Sequence, residues 1–162
     1  MDALFGPTVI PMRDMLLRLG IACLFGMVLG LDREIRGKSA GIRTHMLVAL
    51  SSAMTMLIAL EMAEELAKLG RGDTDPVRAI QGLAQAIGFL CAGIIFVTRA
   101  DVHGVTTAAG LWMTSTIGMA AGAGQFRIAL VGTLLAALIV TAMWLLMRIT
   151  ALRRPTSSHD DE

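Results

Sequence analysis

The chain has 162 residues, 55% of them apolar, no tyrosine, a mean hydropathy of +0.68 and a formal net charge of +1. A soluble domain of this length needs more polar surface than that, so the composition excludes an ordinary water-soluble fold and points to the membrane. The near-neutral charge gives no reason to expect a nucleic-acid partner.

One bilayer crossing takes roughly 20 residues, and five apolar runs meet or approach that length, at about 15–31, 44–63, 79–98, 104–123 and 128–147. A cleavable signal peptide fits poorly, because four runs would remain after removal of the first. In the first run Arg18 lies one turn from the start, where it can snorkel outward. Between the first and second runs lies a dense charge cluster from Gly30 to His45, with Arg33, Arg36, Lys38 and Arg43 as its basic members. Charges confined to such a segment stay out of hydrocarbon and mark a membrane surface. Glu61 marks the end of the second run, and Glu64, Glu65 and Lys68 continue at helical spacing into water.

The third run opens after Asp75-Pro76, a helix start signal. A short Arg99-Ala100-Asp101-Val102-His103 turn leads into the fourth, and Gly124-Gln125-Phe126-Arg127 joins the fourth to the fifth. The expected fold is an all-α membrane protein, a compact bundle of five transmembrane helices within residues 1–150. A disordered cytoplasmic tail is expected over 151–162, with no soluble domain after it.

Five crossings place eight basic residues on the side of the first turn and the C-terminus, and six on the other. The positive-inside bias then puts the C-terminus in the cytoplasm and the N-terminus in the periplasm. Gly26 with Gly30, and Gly118 with Gly122, form small-xxx-small pairs suited to close helix contact. They serve either packing within the bundle or a homodimer seam. The Leu- and Met-rich fifth run is expected to face lipid. A faint repeat at an offset of 63 lays Gly41-Ile42-Arg43-Thr44 over Gly104-Val105-Thr106-Thr107, and Ser51-Ser52 over Thr114-Ser115.

Polar groups at membrane depth are costly unless satisfied, which makes them site candidates. Gln81 and Gln85 share a helix face in the third run. Ser51, Ser52 and Thr55 in the second run, and Thr106, Thr107, Thr114, Ser115 and Thr116 in the fourth, have the simpler option of bonding their own helix backbone. At the charged end, Asp32, Glu34 and Asp101 face Arg33, Arg36, Arg43, Arg99 and His103 if the two turns meet. A salt-bridged cap, or contact with anionic lipid, is expected there. A hydrated Mg2+ on Asp32 and Asp101 is the weaker alternative. No Walker loop, nucleophile elbow or paired metal-binding histidines occur, so no enzymatic activity and no cofactor are expected. Cys23 and Cys91 lie in apolar runs and read as small hydrophobes rather than a disulfide.

Two blocks carry a family resemblance. Gly30-Leu31-Asp32-Arg33-Glu34, Arg36-Gly37-Lys38, Ala40-Gly41-Ile42-Arg43-Thr44-His45 and Leu47-Val48 form the first. Ile87-Gly88-Phe89-Leu90-Cys91-Ala92-Gly93, then Val102-His103-Gly104-Val105-Thr106-Thr107-Ala108-Ala109-Gly110-Leu111-Trp112, form the second. In order and spacing they resemble the MgtC/SapB membrane proteins, over about Arg18 to Gly124. The resemblance implies a five-span bacterial inner-membrane protein linked to growth under magnesium limitation and to survival inside macrophages. It also implies a regulator of another membrane complex, such as the F-type ATP synthase, rather than a magnesium transporter. Cys91 stands where the family usually has Gly, and Ser51-Ser52 replaces a Gly-containing pair. The soluble C-terminal domain of longer members is missing, which marks a short member or a truncated one. The competing reading is an ion transporter or channel with a polar path through Gln85, Thr106, Thr107 and the Asp32 and Asp101 turns.

Overall fold

The computed structural model describes residues 8–70, 75–98 and 101–152. Five helices carry the fold: α1 (Met12–Ile35), α2 (Ile42–Lys68), α3 (Val77–Ile94), α4 (Val105–Gly122) and α5 (Phe126–Leu152). Four of them, α1, α2, α3 and α5, are long and apolar enough to cross a membrane by themselves. The protein is an all-α membrane protein, as its composition requires.

The remaining helix, α4, is the best buried. Leu111, Thr114, Ser115, Ile117, Gly118, Ala121 and Gly122 all lie inside, and the helix packs against α1, α2, α3 and α5. A helix walled by other helices needs no lipid-facing apolar stripe, which explains why α4 tolerates Thr, Ser and Gly where the other four carry Leu, Met and Ile.

Small residues set the spacing. A Cβ on Gly26 would stand 2.7 Å from the His45 carbonyl oxygen, and one on Gly30 would stand 2.6 Å from Ile42 Cα. Against the same helix, a Cβ on Gly118 would reach 2.4 Å from the Ala49 oxygen and one on Gly122 would reach 2.5 Å from that of Ala53. Both glycine pairs therefore pack within one chain, drawing α1 and α4 onto α2. The core around them is Ala22, Leu29, Ala49, Ala53, Ile117, Ala121 and Ala129. Backbone proximity and dispersion hold such a core, since lipid is as apolar as the side chains.

Element boundaries depart from the sequence reading in physical ways. Helix α1 runs on to Ile35 because Asp32 and Arg36 pair one turn apart and extend it past the apolar run. Helix α2 continues past Glu61 to Lys68, in line with the helical spacing of Glu64, Glu65 and Lys68. Glu61, at the end of the apolar run, also caps the opening segment, accepting the backbone N–H groups of Val9 at 2.9 Å and Ile10 at 2.6 Å. The third helix stops at Ile94, four residues before the expected end. The β-branched run Ile94-Ile95, Val97-Thr98 prefers extended backbone, and Phe96–Thr98 forms a strand, β1, antiparallel to β2 (Asp101–His103). The connection expected as a plain turn is a two-stranded ribbon, with the Phe96 and His103 rings stacked 5.3 Å apart. Asp75 caps α3 as expected, accepting from Val77 N at 2.9 Å. The expected tail lies outside the described residues apart from Ala151 and Leu152, which continue α5.

Arg18 does not snorkel into water. Its Nη1 donates to the Gly122 carbonyl at 3.0 Å, where the last turn of α4 leaves oxygens unpaired. The 63-residue offset has a structural counterpart. Gly41 and Gly104 precede the first residues of α2 and α4, and Ser52 Oγ meets Ser115 Oγ at 2.9 Å. Helix α5 is exposed along its last ten fully described positions, 141–150, and faces outward as its composition suggests.

Candidate functional site

The polar groups gather where α1 ends and where α2 and α4 begin. Gly37 and Ala40 both have φ of +60°, so the link between α1 and α2 passes twice through left-handed backbone, once at a residue with a side chain. Arg33 holds that link. It is buried, and its guanidinium donates to the Ser39 carbonyl at 2.9 Å, the Ala40 carbonyl at 3.3 Å and the Thr107 hydroxyl on the first turn of α4. One side chain thus ties α1, the loop and α4 together, as a planar five-donor group can. Glu34 works alongside it. Its Oε2 accepts from Ile42 N at 3.0 Å, a carboxylate placed at the N-terminus of α2. Gly41 is required beneath it, since a Cβ there would stand 1.7 Å from Glu34 Oε2.

Below this cap lies His45, with 1% of its surface exposed. Its Nδ1 lies 3.0 Å from the Gly41 carbonyl oxygen, so Nδ1 carries a proton and donates it there. Nε2 is buried without a partner among the described residues, 3.6 Å from where a Cβ on Gly110 would stand. Deeper in the bundle, Ser52 and Ser115 bond each other, Ser52 also bonds the Val48 carbonyl at 2.8 Å, and Thr114 bonds the Gly110 carbonyl at 2.9 Å. Buried hydroxyls here are satisfied by helix backbone or by one another.

On the outer side of the cap, Arg36 bonds Asp32 Oδ1 through Nε at 2.8 Å and sits 4.7 Å from the centre of the Trp144 ring on α5. Arg148 stacks on the same ring at 5.2 Å. A cleft of about 1000 Å³ opens beside this group, between α1, the β ribbon and α5. Lys38, Ser39, Gly93, His103, Gly104 and Thr106 are on its lining, together with Asp32, Arg33, Arg36 and Thr107.

The charged cap expected from the sequence is thus assembled from Asp32, Arg33, Glu34, Arg36, Gly41 and Thr107, but the division of labour differs. Arg43 and Thr44 are exposed on the first turn of α2, and Arg43 makes no hydrogen bond or ion pair among the described residues. Arg33, buried in the middle of the motif, is the basic residue that ties the cap together. Asp32 and Asp101, the pair considered for a hydrated cation, have separate partners. Asp32 is paired with Arg36, while Asp101 bonds Val102 N at 2.9 Å and lies 3.5 Å from His103 Nε2. Among the described residues no three His, Cys, Asp or Glu side chains come together as a metal site. Gln81 and Gln85 share a face, as expected, but that face of α3 is exposed and neither amide has an internal partner among the described residues. Gly88 packs on Trp112, and Cys91 is buried with its thiol against the Ala108 carbonyl at 3.2 Å. The sequence reading passed over Trp144. Its signal was an aromatic one turn before Arg148 at the end of an apolar run, the place of an interfacial anchor.

This arrangement, a buried polar-small helix packed among four helices long and apolar enough to span, with a charged cap at one end, defines a multi-pass membrane protein. The MgtC family pattern matches residues 19–149, and the chain belongs to that family. It is 32% identical over 127 residues to "Putative magnesium transporter YhiD" of Escherichia coli, covering 78% of this chain and 59% of that one. It is 39% identical over 115 residues to protein SapB of Bacillus subtilis, covering 70% and 50%, and 38% identical over 112 residues to protein MgtC of Brucella abortus, covering 69% and 44%. The chain therefore spans about half the length of these relatives. No solved structure matches it.

Proposed function

We propose that this chain is a non-enzymatic regulatory module of the bacterial inner membrane, acting by helix–helix contact on another membrane complex. The F-type ATP synthase is the complex that the MgtC/SapB resemblance brings forward, together with adaptation to low magnesium and survival inside macrophages. The N-terminus is periplasmic and the C-terminus cytoplasmic, following the eight-to-six distribution of basic residues.

One observation carries this reading. Helix α3 exposes Gln81 and Gln85 one turn apart, Gln85 at the middle of the 18-residue helix, with no internal partner among the described residues. An unsatisfied carboxamide in hydrocarbon is unfavourable, and a partner helix supplies what lipid cannot. Exposed Gly82, Ala86, Ala92 and Gly93 on α3 let another backbone come close.

Divalent-cation transport is the second reading, favoured by the printed name of the Escherichia coli relative. Against it stands the α2–α4 seam, where Gly118 and Gly122 lie on the backbone of α2 and the serine hydroxyls are bonded to each other. Purified protein in liposomes, loaded with a magnesium-sensitive dye, separates the two. The regulatory reading expects no flux above empty vesicles, and copurification of ATP-synthase subunits from membranes. Flux that is lost in Asp32→Asn would overturn it.

A further inference from the structure

The cleft beside the cap has two unlike walls. Ile139, Met143 and Met147 of α5 line one side, and all three are more than half exposed; Phe96 and Val102 of the ribbon line the other. These walls are apolar and open to the surroundings of the bundle, where lipid chains lie. The mouth is cationic. Asp32 neutralises Arg36, but Arg33 donates only to neutral oxygens, and Lys38 makes no ion pair among the described residues. Arg148 adds a third charge, held against the face of Trp144. A cleft with apolar walls and an uncompensated cationic rim at a membrane surface is complementary to an anionic amphiphile.

A second observation narrows the headgroup. Asp32 lines this cleft, and its buried Oδ2 has no hydrogen-bond partner among the described residues, although Oδ1 is engaged by Arg36. A buried carboxylate oxygen without a donor is costly. The donor it lacks is better an uncharged hydroxyl than an ammonium, because Arg33, Arg36 and Lys38 already surround the cleft with positive charge. Phosphate for the cations, hydroxyl for the carboxylate and acyl chains for the apolar walls are all present in one lipid class.

We propose that this cleft binds one phosphatidylglycerol molecule, its phosphate near Lys38 and Arg148, its terminal glycerol hydroxyls toward Asp32 Oδ2 and an acyl chain along Met143 and Met147. Bound there, the lipid bridges the cap of α1 to the end of α5, a contact that the protein alone makes through Trp144.

Native mass spectrometry of the full chain, with dioleoyl phosphatidylglycerol, phosphatidylcholine and phosphatidic acid at equal concentration, tests this. The expected result is one phosphatidylglycerol retained per chain in preference to either competitor. Both Lys38→Gln and Arg148→Gln are surface changes, and each should lower retention about fivefold, whereas Lys38→Arg with Arg148→Lys keeps it. Asp32→Asn should erase the preference for phosphatidylglycerol over phosphatidic acid and leave that over phosphatidylcholine. The chain has two tryptophans, so in a Trp112→Phe background Trp144 reports alone. Brominated phosphatidylglycerol should quench it more than brominated phosphatidylcholine. Equal retention of all three lipids, unchanged retention in the double Gln variant, or complete displacement by glycerol 3-phosphate, which would mark a site for soluble phosphate, would each overturn the proposal.

Discussion

The glycine seam offers a perturbation whose size is set by geometry. Replacing Gly118 by Ala places a Cβ 2.4 Å from the Ala49 carbonyl oxygen and 2.9 Å from its Cα. That is about 1 Å short of ordinary van der Waals contact, and the obstructing atoms are backbone, so α4 must move away from α2 as a unit. The same movement lengthens the Ser52–Ser115 contact just under one turn away. Overpacking of this kind costs about 1–3 kcal/mol. Gly82→Ala is the matched control. It lies inside α3 with nothing within 4 Å of the added methyl, so both changes gain the same helix propensity, roughly 1 kcal/mol, and the difference between them isolates the packing term. At about 2–4 °C per kcal/mol for a chain of this size, thermal unfolding in detergent should place Gly118→Ala on the order of 5 °C below Gly82→Ala. Equal melting temperatures would mean that α2 and α4 do not meet at this seam.

The cap predicts an asymmetry between two arginines of one motif. Arg33→Met strands the buried Thr107 hydroxyl and releases the Ser39 and Ala40 carbonyls, at a cost of about 2–4 kcal/mol for a lost charged hydrogen-bond network. Arg43→Ala, at an exposed position, should stay within about 0.5 kcal/mol of the parent. Urea or SDS unfolding followed by circular dichroism compares them, and similar midpoints would refute the assignment of the cap to Arg33. The serine pair should behave modestly, since each hydroxyl bond between membrane helices averages about 0.6 kcal/mol. A double-mutant cycle with Ser52→Ala and Ser115→Ala should return a coupling near that size, and a coupling of zero would deny the contact.

Much of the fold was legible because hydrocarbon imposes simple rules. Five apolar runs, punctuated by Gly30 to His45 and by Gly124 to Arg127, became five helices, and the glycine pairs marked the helix faces that meet. What escaped the sequence was decided by partners distant along the chain. Nothing local distinguishes Arg33 from Arg43; only the approach of Thr107, 74 positions away, buries one and not the other. Glu61 read only as the end of an apolar run, and its capping role stayed hidden because its partners, Val9 and Ile10, belong to another segment. The strand Phe96–Thr98 hid inside an apolar run, since β-branched residues suit both a membrane helix and an extended ribbon, and its partner Asp101–His103 lay in the expected turn. Trp144 gained its place only when α5 met the end of α1. The polar residues of α3 were legible as unusual, and their orientation was not: a helix face turns inward or outward according to its neighbours, and Gln81 and Gln85 turn outward.

The proposed regulation through α3 requires its exposed Gln81–Gln85 face to meet protein in the membrane. A photoreactive amino acid placed at position 85, irradiated in native membranes, tests it most directly. Covalent capture of one membrane protein from position 85, and none from the lipid-facing position 138 on α5, is the predicted result. Capture of lipid alone at both positions would contradict it.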